Sequence, residues 1–125
     1  MLESAIPVIH VSSSRKAENF YCNGLGFKLV ASWRPEPEND DPCYMTLSRD
    51  GATLHVCSFN DGVFGAWNST VYVFVDDVDA IHAEFAARGI STLSGILDQT
   101  WGTRELGVRD PDRNAITFGE RIAHR

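Results

Sequence analysis

A chain of 125 residues, 43% hydrophobic and 22% charged, is one globular domain by length and carries enough apolar material for a single core. Its formal net charge of −6 leaves no basic face for nucleic acid, and no apolar run approaches a membrane span. The three cysteines, Cys22, Cys43 and Cys57, are odd in number and lack Cys-x-x-Cys spacing, against a disulfide framework and a thiolate zinc site. MLESAIPVIH also lacks the basic head and long apolar stretch of a secretory signal, so a cytoplasmic protein is expected.

Ala5 to Val11 reads as a first strand, with Pro7 at an early or edge position. Ser12, Ser13 and Ser14 offer N-cap hydroxyls for a helix from about Arg15, on which Ala17, Phe20, Tyr21 and Leu25 recur at helical spacing. Gly24 and Gly26 end it, and Phe27 to Trp33 follows as a strand. Arg34 to Pro42, RPEPENDDP, is proline-punctuated and acidic. It reads as a solvated loop, although Glu36, Glu38, Asp40 and Asp41 could also draw in a cation. Cys43 to Ser48 and Ala52 to Ser58 form a hairpin around Arg49-Asp50-Gly51, where Asp-Gly is a turn signal. Phe59 to Ser69 is turn-rich and divides the chain near its middle.

The second half repeats the first. Thr70 to Val75 is a strand, Asp76 or Asp77 caps a helix burying Val78, Ile81 and Phe85, and Arg88-Gly89 ends it. Ile90 to Leu93 begins a short strand. Thr103 to Arg109 and Ala115 to Gly119 then form a hairpin across Asp110-Pro111-Asp112-Arg113-Asn114, with Trp101 and Gly102 at its entrance and Glu120 at its exit. AENFYCNGLGF stands beside IHAEFAARGIS, and MTLSRDGATLHV beside RELGVRDPDRNAITF. A duplicated βαβββ unit of roughly sixty residues explains both pairs.

The two halves, with NFYCNGLGF, VFVDDVDAIHAEF and WGTRELGVRDPDRNAITFGE, resemble the vicinal oxygen chelate superfamily along essentially the whole chain. That group holds glyoxalase I, extradiol dioxygenases, fosfomycin-resistance enzymes and bleomycin-resistance proteins. The resemblance implies an α+β fold in which two βαβββ modules form an incomplete, barrel-like, cupped mixed sheet with the helices outside. It implies a single domain over residues 1–125: module one 1–60, a connection 61–69, module two 70–120 and a tail 121–125.

Enzymes of the group hold a divalent metal with one His, Glu or Gln from each of four inner strands. The corresponding positions here are Ile6, His55, Thr70 and Thr117, of which only His55 ligates a transition metal well. No metal, cofactor or catalytic residue is therefore expected. Ile9, Val11, Leu54, Val56, Val71, Val73, Val75, Ile116 and Phe118 fall on one face at period two and should pack under the helices. Val8, His10, Thr53, His55, Cys57, Tyr72, Phe74, Ala115 and Thr117 fall on the other, a surface suited to an organic ligand in preference to simple closure of the two halves on each other.

SAIPVIHV, GATLHVCSFND, STVYVFVDDVD and the Trp-Gly entrance of the last hairpin resemble the bleomycin-resistance branch in particular. That resemblance implies a homodimer that binds and sequesters a cationic glycopeptide antibiotic without catalysis, with exchange of the N-terminal strand, residues 1–8, between subunits. The ligand contacts it suggests are Trp33, His55, Phe59, Trp67, Tyr72, Trp101 and Thr117, with Phe64 beside Trp67; tryptophans also serve as core or interface packing. Arg104, Glu105 and Arg109 read as strand-face ion pairs. The alternative within the same group is a metal-dependent enzyme with a diverged site, in which Glu120 or His10 joins His55.

Overall fold

The computed structural model describes residues 1–59 and 68–122. The chain forms two compact units, Met1–Ser69 and Thr70–Arg125, and each contains one four-stranded mixed sheet. In unit 1 the path is β1 (Val8–His10), α1 (Ser14–Glu18) continuing as a π-helical segment (Asn19–Gly24), β2 (Lys28–Trp33), β3 (Tyr44–Arg49) and β4 (Ala52–Cys57). Unit 2 runs β5 (Thr70–Phe74), α2 (Val78–Ala87), β6 (Leu97–Asp98), β7 (Thr103–Arg109) and β8 (Ala115–Arg121). The spatial orders, β1-β4-β3-β2 and β5-β8-β7-β6, match strand for strand. In both, the first strand pairs in parallel with the last, Val8 facing His55 and Tyr72 facing Thr117. The internal repeat is thus a repeat of topology and register.

Local chemistry accounts for the elements. The Ser13 hydroxyl accepts from the Lys16 N–H at 3.2 Å, and the Asp77 carboxylate from the Ala80 N–H at 3.1 Å, so each helix starts on a side-chain cap. Ala17, Tyr21 and Leu25 are buried from the first helical segment, as are Val78 and Phe85 from α2. Against them lie Ile9, Val11, Leu54 and Val56 in unit 1, and Val71, Leu106, Ile116 and Phe118 in unit 2, all buried on one side of their strands. Each such burial removes apolar surface worth about 1.5–3 kcal/mol before entropy is counted.

The two hairpins turn differently. Asp50 takes φ 50° beside Gly51, a two-residue turn between β3 and β4. Between β7 and β8, buried Asp110 accepts from the N–H groups of Asp112 (2.9 Å) and Asn114 (2.8 Å) and from the Asn114 side chain (2.8 Å). That one carboxylate organises the Asp-Pro-Asp-Arg-Asn turn, in which Arg113 takes φ 69°.

One expectation fails, and one holds only in part: the acidic loop is exposed over residues 35–40 but anchored at its end. Ile90 does not open a strand: its N–H donates to the Phe85 carbonyl at 2.9 Å and closes the end of α2. Only Thr92 bridges to Val108 there, and β6 forms later, at Leu97–Asp98. The acidic loop is also more than solvated chain. The half-buried Asp41 carboxylate accepts from the Ser14 N–H at 3.0 Å and the Ser58 hydroxyl at 2.6 Å, tying the loop to the start of α1 and the end of β4. Asp40 pairs with Arg15 at 3.0 Å, so two of its four acids are already engaged within the unit.

Candidate functional site

In each sheet the face turned away from the helix carries the polar and aromatic side chains that alternate with the core. On unit 1 that face holds Val8 and His10 of β1, His55 and Cys57 of β4, Tyr44 and Thr46 of β3, and Trp33 of β2, aligned by the strand register. The Tyr44 hydroxyl and His55 Nδ1 are 2.9 Å apart, with the rings edge to face at 5.3 Å. Trp33 is 60% exposed and stacks on Phe59, the ring planes within 8° and the centroids 5.8 Å apart.

The corresponding face of unit 2 is arranged around a carboxylate. Tyr72 lies flat across β8 at Gly119, where any Cβ would collide with its ring and hydroxyl. This glycine is there for close approach rather than for backbone freedom. From that position the Tyr72 hydroxyl donates to Glu105 Oε2 at 2.7 Å, and the Thr103 hydroxyl donates to the same oxygen at 2.8 Å. The Trp101 and Gln99 side chains donate to Glu105 as well. Burial raises the Glu105 carboxyl, but the hydrogen bonds from Tyr72, Thr103, Trp101 and Gln99 outweigh it and hold it below the usual carboxylate range. Burial, with Glu105 adding and Thr103 opposing, pushes the Tyr72 phenol up, so it remains a donor. Phe74 lies 4.9 Å from Tyr72, and the Arg121 guanidinium sits over the Phe74 ring at 3.7 Å.

Of the residues expected from sequence to meet a ligand, Trp33, His55 and Phe59 lie in unit 1 and Tyr72, Trp101 and Thr117 in unit 2; Trp67, like Phe64, lies outside the described residues. Trp33 and Phe59 meet directly, and Tyr72 and Trp101 meet through Glu105. Tyr44, Glu105 and Arg121 were not among the expected contacts. Glu105 was expected to pair with Arg104 or Arg109, but Arg109 donates to the Arg113 carbonyl at 3.1 Å, and Arg104, adjacent to Glu105 in the strand, points to the opposite face. Arg104 therefore reaches the helix side, where it bonds Asp79 at 3.0 and 3.1 Å and Asp98 at 2.8 Å. The parity of Glu105 with Gly107 and Thr103 was the available signal, readable only once the hairpin register is set.

The donor set does not fit a divalent metal at the positions the superfamily uses. Ile6, Thr70 and Thr117 offer no imidazole or carboxylate, and His55 Nδ1 already faces the Tyr44 hydroxyl. Glu120 cannot complete such a site. Its Oε1 accepts from the Val78 N–H at 2.9 Å and caps α2 on the helix side. Among the described residues, one group of three His, Cys, Asp or Glu donors lies close enough to share an ion: Asp77, Asp79 and Glu120. Asp77 caps α2 and Asp79 pairs with Arg104, so that cluster belongs to the helix start. His10 and His55 belong to no such group. No helix among the described residues is long and apolar enough to cross a membrane.

A sequence model described as "Glyoxalase superfamily protein" matches residues 1–124. The bleomycin resistance protein of Geobacillus stearothermophilus is 29% identical over 139 residues, covering 98% of this chain and 98% of that protein. TnmS3, an antibiotic binding protein from Streptomyces sp. CB03234, superposes with a TM-score of 0.73 at 26% identity, over 97% of this chain and 98% of its own. TioX from Micromonospora sp. ML1 shares the fold with a TM-score of 0.79 at 20% identity, covering 96% of this chain and all of its own.

Proposed function

The chain belongs to the glyoxalase superfamily, and from that premise we propose that it is a non-catalytic protein that binds and sequesters a cationic aromatic antibiotic of the bleomycin family. One observation carries the reading. The inner faces present accessible rings and hydrogen-bonding groups where the metal enzymes of the superfamily need ligands, and His55 is the single donor among Ile6, His55, Thr70 and Thr117. An aromatic surface with a few placed polar groups binds an organic molecule; without a held divalent ion it supplies no Lewis acid. The bleomycin resistance and antibiotic-binding relatives support the same class of ligand.

On this reading Trp33 with Phe59, and Trp101 with Tyr72, stack on planar parts of the drug, while His55 and Thr117 offer hydrogen bonds. Withholding the drug from its target is the whole activity. The functional form is a homodimer that exchanges the N-terminal strand, a role consistent with exposed Met1, Leu2 and Ile6 preceding β1.

Isothermal titration with metal-free and copper-bound bleomycin tests the ligand, and light scattering tests the dimer. Saturable binding of at least one drug form at one per chain, in the micromolar range or tighter, is expected. No heat with either form at that concentration removes the bleomycin assignment.

A further inference from the structure

We propose that Glu105 makes the rings of Tyr72 and Trp101 a receptor for a cationic group of the ligand, so that this face of unit 2 selects cationic over uncharged or anionic molecules. The inference rests on the reading that this face contacts the ligand.

The carboxylate takes hydrogen bonds from Tyr72, Thr103, Trp101 and Gln99, four donors for about four lone-pair sites. All four are neutral. Glu105 joins no ion pair among the described residues, so its negative charge is solvated by dipoles and not cancelled. A ligand cation cannot simply displace this shell without leaving a donor orphaned. It gains more by lying on the rings whose hydroxyl and indole N–H point into the carboxylate. A phenol or indole that donates to an anion becomes more electron-rich, and its face attracts a cation more strongly.

The exposure is right for this. Tyr72 is 42% and Trp101 63% exposed, so both rings keep accessible surface while their polar ends are fixed. The face already holds one cation in this way, the Arg121 guanidinium at 3.7 Å over Phe74. Arg121 is also the charged group near Tyr72 on the same face, and it acts against the phenol pushed up by burial. Its place on Phe74 leaves the Tyr72–Trp101 pair to the ligand. In unit 1 the place of Glu105 is taken by Tyr44, whose hydroxyl meets His55. Gly119 is part of the device, because only an absent side chain lets Tyr72 cross β8 to reach Glu105.

The test compares two probes on the full chain: metal-free bleomycin, and the same molecule with its cationic terminal group replaced by a carboxylate. Glu105→Gln keeps the size and an accepting oxygen but removes the charge. The expected result is a loss of roughly tenfold in affinity for the cationic probe and under about twofold for the carboxylate-ended one. The near-UV circular dichroism and thermal midpoint of the variant should stay near wild type, which separates lost charge from lost fold. If Glu105→Gln misfolds, raising the salt concentration on the wild type at neutral pH must weaken the cationic probe and not the carboxylate-ended one. Equal loss for both probes, or loss for neither, overturns the inference and leaves the binding function standing. Failure of the wild type to bind either probe overturns both.

Discussion

In unit 1 the inner-face tyrosine stands on β3 and meets a histidine; in unit 2 it stands on β5 and meets a carboxylate. The register shows how one topology produced both. Tyr44 is opposite Cys57, and Glu105 is opposite Gly119. Cys57 and Gly119 are themselves equivalent, since their carbonyls accept from Val11 and Val75, the residues leaving the first strand of each unit, at 2.9 Å in both cases. Tyr44 and Glu105 thus occupy the same place in the repeat. Cys57 fills its own space, whereas Gly119 yields that space to Tyr72 from the neighbouring strand β5. The tyrosine–histidine pair of unit 1 and the network around Glu105 in unit 2 therefore rest on different residues at equivalent places: Tyr44 and Glu105, Val8 and Tyr72, Cys57 and Gly119.

The largest expected effect comes from refilling that space. Gly119→Val forces Tyr72 off β8, and Glu105 then loses its Tyr72 donor. Overpacking of this kind costs about 1–3 kcal/mol, and drug binding through Tyr72 and Trp101 should fail with it. Cys57→Ala, which removes one small side-chain atom at the equivalent buried site, should cost about 1–2 kcal/mol and leave binding by unit 2 intact. Urea denaturation of the pair checks this. Equal costs would mean that the glycine does not distinguish the units.

Next in size is truncation of the exposed tryptophans. Trp101→Ala removes a largely exposed ring together with one of the donors to Glu105, so it should cost about 0.5–1 kcal/mol of stability. It should weaken bleomycin by roughly tenfold, the upper range for one aromatic contact. Trp33→Ala removes the stack on Phe59, and so should cost both some stability and some affinity. Titration calorimetry beside thermal melts separates the two. A Trp101→Ala protein that binds like wild type would move the ligand to unit 1.

Much of this arrangement is legible before any coordinates. Period-two burial at Ile9, Val11, Leu54, Val56, Ile116 and Phe118 follows from the local pattern, and the caps are legible as a choice among Ser12, Ser13 and Ser14 and between Asp76 and Asp77, from which the structure takes Ser13 and Asp77. The superfamily follows from the repeat together with its motifs. Glu105 is not legible, because its partners Tyr72 and Thr103 become its neighbours only once the register of β7 and β8 and the crossing of Gly119 by Tyr72 are known. Gly119 looks like an ordinary strand glycine until the ring crossing it is seen. The two-residue β6 lies below the length at which a pattern exists, and Ile90 is strand-like in type yet taken by the helix end.

Acid should report both units through different carboxylates. At Glu105 and Asp41 burial raises the carboxyl, and hydrogen bonds outweigh it: Tyr72, Thr103, Trp101 and Gln99 at Glu105, Ser58 and Ser14 at Asp41, where Arg34 also helps. Both folded values lie below the unfolded ones, so the stabilisation is complete above the unfolded values of about 4.3 for Glu and 3.9 for Asp. It is lost as pH falls through the folded values. The thermal midpoint should therefore be insensitive to these groups from neutral pH down to about pH 5, then fall. Glu105→Gln and Asp41→Asn should each remove part of the fall. A melt that drops between pH 7 and 5 in step with neither variant would assign the acid response elsewhere.

The smallest effect is the most discriminating. Tyr44→Phe removes the hydroxyl beside His55 Nδ1, but both residues are half-buried, so water can replace the lost partner. Its cost should be at the low end of a net hydrogen bond, about 0.5 kcal/mol. Tyr72→Phe also deletes one hydroxyl, yet it withdraws a donor from a carboxylate; because that bond is solvent-exposed, its cost should stay within about 0.5–1 kcal/mol. Three donors remain at Glu105, which should bring the observed cost toward the lower of those figures while raising the carboxyl toward its ordinary value. Nuclear magnetic resonance titration of the Glu105 side-chain carbon reads this directly. An upward shift with Tyr72→Phe, and none with Tyr44→Phe, is expected if the tyrosine of unit 2 serves the anion while that of unit 1 serves only its neighbour.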